Sequence, residues 1–324
     1  MGKRRVRLQD IAECAGVSVS TVSLVLNDKA RVGNVRISKQ TIRRVRHISR
    51  EMGYLSRGVV GLVVPQFGQY FLGMIDGVME VLKEEKYNLA LGMTTGWHLQ
   101  REIEEAQLMD NKGFDGLIIG SSPQFVAKLE NTLYIHHTRK RMVVMNWVSH
   151  SGIPYVTIDH QHCGYLATKH LIEQGHRRIA FAGVHYPTPE HVTDIPIIDA
   201  RFKGYLKALK ECDLPYISVE PVEAVLDLPK KVTGVYCGRV LGSLDLLGAC
   251  WDRGIRVPDD LSIVGQDEGR DKSAVRPRMT TIDVYEKKVG AQAAQMILDL
   301  INGKETESIV LKPRLIKRDS VRAL

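Results

Sequence analysis

At 324 residues the chain exceeds one ordinary domain, so two or three compact units are expected. Its 44% hydrophobic and 25% charged residues exclude a disordered polymer, and no apolar run reaches the roughly 18–20 residues that cross a bilayer. The net charge of +8 is unevenly placed: thirteen Lys and Arg stand against four Asp and Glu up to Arg57, leaving 32 against 33 in the remainder. All the excess positive charge therefore sits in a small N-terminal module suited to a polyanion. The basic start, residues 1–7, is not followed by the apolar stretch of an export signal, so a cytoplasmic protein with no membrane partner is expected. Five scattered cysteines (Cys14, Cys163, Cys212, Cys237, Cys250), never in CxxC spacing, indicate reduced thiols and neither a disulfide framework nor a zinc module.

In chain order, Leu8, Ile11, Ala12 and Ala15 recur at helical spacing and predict a short helix over 8–15. Gly16 and Val17 break it, the glycine because it accepts a positive φ, the valine because it can plug the turn. Ser18 is the cap of a second helix through residue 26, with Val22, Val25 and Leu26 inward and Ser20, Thr21, Ser23 and Leu24 largely outside. Two short helices joined by a glycine turn, the second rich in hydroxyl side chains, describe a helix-turn-helix. A third helix starts at the cap Ser38, carries Ile42, Val45, Ile48 and Met52 as its core stripe and ends at Gly53. Its outer Arg43, Arg44, Arg46 and Arg50 read equally as phosphate contacts or as solubilising charge.

The run Leu8-Gln9-Asp10-Ile11-Ala12-Glu13-Cys14-Ala15-Gly16-Val17-Ser18-Val19-Ser20-Thr21-Val22-Ser23-Leu24-Val25-Leu26-Asn27 closely resembles the headpiece of LacI-type (lactose/galactose repressor) regulators. By position the resemblance implies that Val19, Ser20 and Leu24 face base edges in the major groove, and that Arg7, Ser18, Thr21, Ser23 and Asn27 lie near phosphates. Hydroxyl and amide groups near a helix N-terminus are apt phosphate ligands, whereas Val19 and Leu24 can only touch thymine methyls or base faces. Many relatives carry arginine where this chain has Leu24, so strong guanine readout is not expected there. The connection 28–37 is several residues longer than is usual, and its Arg31 adds a backbone contact or belongs to a mobile loop. Residues 54–58 run almost directly into the next domain, leaving no room for the hinge helix whose leucine wedges into the minor groove in relatives. Either little kinking or an unusual headpiece geometry is expected.

From residue 59 onward β-rich runs alternate with amphipathic helices: strands at 59–65, 89–93, 116–119, 143–145, 156–158, 179–181, 234–236 and 261–264, helices at 74–86, 101–111, 164–174, 241–253 and 289–302. Such alternation predicts doubly wound parallel sheets, and the number of strands suggests two lobes. Val156-Thr157-Ile158-Asp159, the stretch from His170 to Ala180, Arg201-Phe202-Lys203-Gly204-Tyr205, the stretch from Gly254 to Gly265, and Thr280-Thr281-Ile282 resemble in order the periplasmic-binding-protein-like core of the same family. The expected fold is thus a small all-α helix-turn-helix headpiece (1–57) plus an α/β periplasmic-binding-protein-like type I core (58–324) of two doubly wound parallel-sheet lobes. The N-lobe is expected at about 58–157 and 285–313, the C-lobe at about 158–284 and 314–324.

The resemblance implies a ligand cleft lined by Tyr70, Phe71, Trp147, Asp159, Arg201 and Asp267. Each has a structural alternative: Asp159 as a helix cap, Arg201 paired with a carboxylate, Tyr70 and Phe71 as core. Relatives carry Asn-Asp where this chain has Arg239-Val240, and an aromatic residue where it has Gln266. With Arg239 added to the cleft, an anionic metabolite becomes an alternative to a sugar or sugar derivative. No nucleophile elbow, P-loop or dinucleotide fingerprint follows a strand, and His160-Gln161-His162-Cys163 lacks a metal-binding pattern, so no catalytic residue, metal or cofactor is expected. The function expected is a repressor, a homodimer on palindromic operator DNA controlled by a small-molecule effector. Alternatives are a constitutive DNA-binding protein whose core only dimerises, and an exported-type solute-binding protein.

Overall fold

The computed structural model describes residues 6–26, 37–52, 54, 58–65, 71–95, 98–120, 122–128, 141–150, 152–184, 196–239, 241–267 and 275–324. The N-terminal unit is three helices, α1 (Leu8–Ala15), α2 (Val19–Leu26) and α3 (Lys39–Glu51). They close on Ile11, Ala12, Ala15, Val22, Val25 and Val45, with Ile42, Ile48 and Met52 packed against that cluster. The remainder forms β1 (Val59–Pro65), α4 (Leu72–Glu84), β2 (Asn88–Thr94), α5 (Leu99–Asn111), β3 (Gly116–Ile119), α6 (Pro123–Lys128), β4 (Met142–Met145), β5 (Tyr155–Ile158), α7 (His160–Glu173), β6 (Ile179–Ala182) and α8 (Pro196–Lys210). It continues through β7 (Ser218–Val219), β8 (Gly234–Cys237), α9 (Gly242–Asp252), β9 (Ser262–Asp267), β10 (Thr280–Asp283), α10 (Glu286–Ile301), β11 (Ile309–Leu311) and β12 (Arg314–Ile316).

These strands make two six-stranded sheets, β11-β5-β4-β3-β1-β2 and β12-β10-β9-β8-β6-β7. Every pairing is parallel except β10 with β12. Helices cover both faces, which is why β1, β3, β4, β6 and β8 are apolar throughout and not alternating. The chain crosses from the first lobe to the second after β5, returns in α10, and crosses again between β11 and β12. The carboxyl ends of the first-sheet strands meet the start of α7 at one such crossing, the usual place for a ligand crevice in open α/β sheets.

Two helix pairs approach so closely that only glycine fits between them. A Cβ on Gly164 of α7 would overlap the Arg201 carbonyl of α8, and one on Gly204 of α8 would overlap the Gln161 carbonyl. Gly77 of α4 meets Lys287 of α10, and Gly290 meets Met74, in the same reciprocal way. Backbone thus rests on backbone in each lobe.

Helix α7 begins four residues before the sequence pattern suggests, because Asp159 caps it by accepting from the His162 N–H at 2.9 Å. Helix α8 gives no clear apolar stripe because Asp199 and Arg201 are buried on its inner side. Alanine at Gly164 or Gly204 should destabilise the protein by about 1–3 kcal/mol through overpacking. Gly248→Ala in α9, where a Cβ meets nothing within 4 Å, should leave stability unchanged or raise it by up to about 1 kcal/mol. Urea denaturation of the three variants checks this; equal midpoints would contradict the close crossing.

Candidate functional site

Two places gather polar chemistry, the outer face of α2 and a cavity between the lobes. In the first, Gly16 takes the left-handed conformation (φ 60°) and donates its N–H to the Ala12 and Glu13 carbonyls, ending α1. Ser18 then caps α2: its Oγ accepts from the Thr21 N–H at 3.1 Å and lies 2.8 Å from the Thr21 hydroxyl. Val22 and Val25 hold the helix to the core, which turns Val19 (43% exposed) and Ser20 to solvent and leaves Thr21, Ser23 and Leu24 half-buried. Arg7 is exposed, and its backbone N–H is held by Asp10 at 2.7 Å. No residue of α2 carries a charge. Positive charge comes from α3, where Arg44 is exposed and Arg46 half-buried. Asn27 and Arg31 lie outside the described residues, as do Leu55, Ser56 and Arg57 and the side chains of Arg43 and Arg50.

Helix α3 touches the core through Glu51, whose carboxylate pairs with Lys86 at 3.2 Å. Both side chains are half-exposed, and such pairs contribute little. The pair marks an approach and does not lock it.

The cavity encloses about 610 Å³ and opens on one side. Its walls come from the ends of β4 and β5 (Asn146, Trp147, Thr157, Asp159), the start of α7 (His160, Gln161), the start of α8 (Ile197, Ala200) and from Val126, Val148, His150 and Val310. Asn146 sits in the left-handed region at φ 73°, a conformation that asparagine tolerates better than most residues. Its carbonyl accepts from Thr157 Oγ1 at 3.0 Å, so the turn is pinned and Trp147 is directed to the cavity wall. Asp159 lines the cavity and also serves as the α7 cap, one oxygen already engaged by His162 N–H.

The other cleft candidates divide. Arg201 is 1% exposed and does not line the cavity, with Nη1 donating to the Gly238 carbonyl at 2.8 Å. Phe71 is 3% exposed in the first lobe's core. Arg239 reaches away to the Gly183 carbonyl and to Glu220 Oε1, 3.3 Å from each, so its charge already has a partner. Tyr70 lies outside the described residues, as does the side chain of Asp267, whose backbone ends β9. Gln266 is buried and donates to the Tyr236 hydroxyl.

His160 is the residue the sequence pattern passed over as a cleft contact. It is 7% exposed, lines the cavity, and has neither ring nitrogen hydrogen-bonded. Burial, and secondarily Arg201, hold its pKa well below 6.5. The signal that could have found it is the cap: a residue directly after Asp159 must open the helix and face the same crevice. Among the described residues no group of three His, Cys, Asp or Glu could hold a metal ion, and no helix is long and apolar enough to cross a membrane.

Comparison with known families finds three matches. Residues 7–56 match "Bacterial regulatory proteins, lacI family", residues 57–223 match "Periplasmic binding proteins and sugar binding domain of LacI family", and residues 168–321 match "Periplasmic binding protein-like domain". The HTH-type transcriptional repressor PurR of Vibrio atlanticus is 28% identical over 98% of this chain and 99% of its own. Among solved structures, the transcriptional regulator CelR in complex with cellobiose is 25% identical with a TM-score of 0.65, covering 98% of this chain and all of that one. The lac repressor dimer bound to operator and an anti-inducer superimposes with a TM-score of 0.71 at 20% identity, covering 99% of this chain and 100% of that chain.

Three imidazoles, His160, His170 and His176, are held below 6.5, each chiefly by burial. The unfolded chain takes up these protons near pH 6.5 and the fold only at lower pH, so this stability is full above about pH 6.5 and is lost as pH falls toward each lowered value. His160→Gln, which cannot take the proton, should lose less stability than the wild type between about pH 7 and pH 5 by urea denaturation. An identical loss would mean that His160 titrates as an exposed histidine does.

Proposed function

We propose, from the premise that the chain belongs to the LacI family of bacterial regulatory proteins, that it is a DNA-binding transcription regulator acting as a repressor on the chromosome of its own cell, in the cytoplasm, under control of a small metabolite. The observation that carries this reading is the headpiece: an uncharged, hydroxyl-rich α2 capped by Ser18, standing beside arginine-bearing α3 in the module that holds the chain's whole excess of positive charge. On this reading Arg7, Ser18, Thr21 and Ser23 set the register on phosphates. Val19, Ser20 and Leu24 meet base edges, the two apolar ones favouring thymine methyls.

A homodimer fits the first lobe. Edge strand β2 exposes Leu91 and Met93, and α4 exposes Leu72 and Met79. An unpaired edge with large apolar side chains is a liability unless another surface covers it. The cavity supports an effector site, with Trp147 and Asp159 as contacts, and a sugar-like ligand is in keeping with the cellobiose held by CelR. Closure of the lobes on it would alter headpiece spacing, and the coupling must be reciprocal: an effector that weakens DNA binding is itself bound less tightly by the DNA complex.

Immunoprecipitation of the protein's DNA from its own cell should return discrete sites, and deletion of the protein should raise transcription beside them; even coverage with no change in transcription contradicts the reading. Leu24→Arg should gain preference for guanine at one position of each half-site, by about 1–3 kcal/mol in competition with variant duplexes. Unchanged preference would remove Leu24 from the base edges. Lysine at both Leu91 and Met93 should give monomers in sedimentation equilibrium, and an intact dimer would place the interface elsewhere.

A further inference from the structure

One wall of the cavity hangs on a buried carboxyl group. Val126 of α6 lines the cavity, and Phe125 and Val126 pack with Trp147 and Ile197 in one apolar cluster. Helix α6 has only six residues, too few to be stable without outside support. That support is Ser122, which is 1% exposed: its Oγ accepts from the Phe125 N–H at 3.2 Å and its carbonyl from the Val126 N–H at 3.1 Å. Ser122 is held in turn by Glu102 of α5. One carboxylate oxygen, Oε2, accepts from the Ser122 hydroxyl at 2.5 Å and from the Ser122 N–H at 3.3 Å.

Glu102 is fully buried, and its other oxygen, Oε1, meets no donor among the described residues. A plain anchor would not need this arrangement, since a glutamine of the same shape accepts the same bonds with no charge to bury. What a carboxyl adds is a second state. Ionised, Oε2 is a charged acceptor, and such bonds are about twice as strong as neutral ones. Protonated, the same group holds Ser122 more weakly. Burial raises the Glu102 pKa above 4.5, against the Ser122 donors and the exposed His98 one turn back on α5, the ionisable neighbour that acts on it. Strands β1, β2 and β3 carry no ionisable side chain, and Glu105 of α5 turns toward Gly92. Helix α6 carries only Lys128, outside the described side chains.

We propose that Glu102 is a positioning residue of the cavity and a proton switch on it: ionised, it draws Ser122 in and holds the α6 wall, and protonated, it lets that wall loosen. Its bearing on regulation rests on the reading of the cavity as the effector site. Two consequences run in opposite directions. The hold on α6 strengthens as pH rises and Glu102 ionises. The global stability contributed by Glu102 is full below about pH 4.5 and is lost as pH rises through the raised value, because the fold resists its ionisation.

The test is hydrogen exchange at the Phe125 and Val126 amides in the full chain without ligand. Corrected for intrinsic rates, wild-type protection should rise about threefold to tenfold from pH 5 to pH 8. Glu102→Gln, neutral throughout, should stay flat near the wild-type value at pH 5. Ser122→Ala lacks the hydroxyl that senses the charge, should also stay flat, and serves if the glutamine variant does not fold. Urea midpoints on the same preparations should favour Glu102→Gln over the wild type more at pH 8 than at pH 5. A wild-type profile as flat as that of Glu102→Gln, or one that falls as pH rises, overturns the proposal. Calorimetry with cellobiose and D-ribose addresses the effector reading separately. A sugar that binds should lose affinity from pH 8 to pH 5 in the wild type and not in Glu102→Gln, and an equal loss in both overturns the positioning role. Binding of neither sugar beside a pH-dependent α6 supports the switch and counts against the effector reading alone.

Discussion

The contact on which the cleft depends is the crossing of α7 and α8, where Gly164 lies on the Arg201 carbonyl and Gly204 on that of Gln161. Because backbone meets backbone, the helices can neither slide nor separate without losing dispersion contacts along the whole crossing. One turn toward the crevice from that crossing stand His160 on α7 and Ala200 on α8, with Ile197 about a turn further, all cavity-lining. Arg201 is buried in the same helix, its guanidinium tied to the Gly238 carbonyl. A buried cation beside a buried imidazole is unfavourable by itself. It persists because helix packing leaves Arg201 no other place and because His160 stays neutral.

Much of this was legible in the sequence where one physical rule governs a segment. Helices α1 and α2 follow from apolar spacing, a glycine able to take positive φ and a serine able to cap. The strands buried on both faces announce themselves as unbroken apolar runs. Elements went unread where tertiary packing overrides that code. Strand β10 is built on Thr280 and Thr281, both fully buried, and threonine runs carry no apolar signal. Helix α8 hides its period behind the buried Asp199 and Arg201, and β11 and β12 are three residues each. At the cleft, Trp147 and Asp159 line the cavity. Arg239 turns toward Glu220, a partner brought near by the β6–β7–β8 pairing that sequence spacing does not reveal.

The link between headpiece and core is short. Helix α3 ends at Glu51 and β1 starts at Val59, and Gly58 is wedged against Tyr87 and Asp115 where a Cβ would clash with both. Its carbonyl accepts from the Asn88 N–H at 2.7 Å, and the Asp115 carboxylate accepts from the Val59 N–H at 2.9 Å. The point where the chain enters the first lobe is therefore rigid. The surface ion pair of Glu51 and Lys86 is too exposed to hold the headpiece alone.

The most direct measurement is selection of binding sites from a randomised duplex library by the full chain at physiological salt, where non-specific phosphate attraction is largely screened. A paired headpiece with an apolar, hydroxyl-rich recognition face predicts a two-fold palindrome, half-sites about one helical turn apart, with thymine-rich positions in each. Recovery of sequence-blind, salt-sensitive binding with no palindrome would contradict the account at its centre.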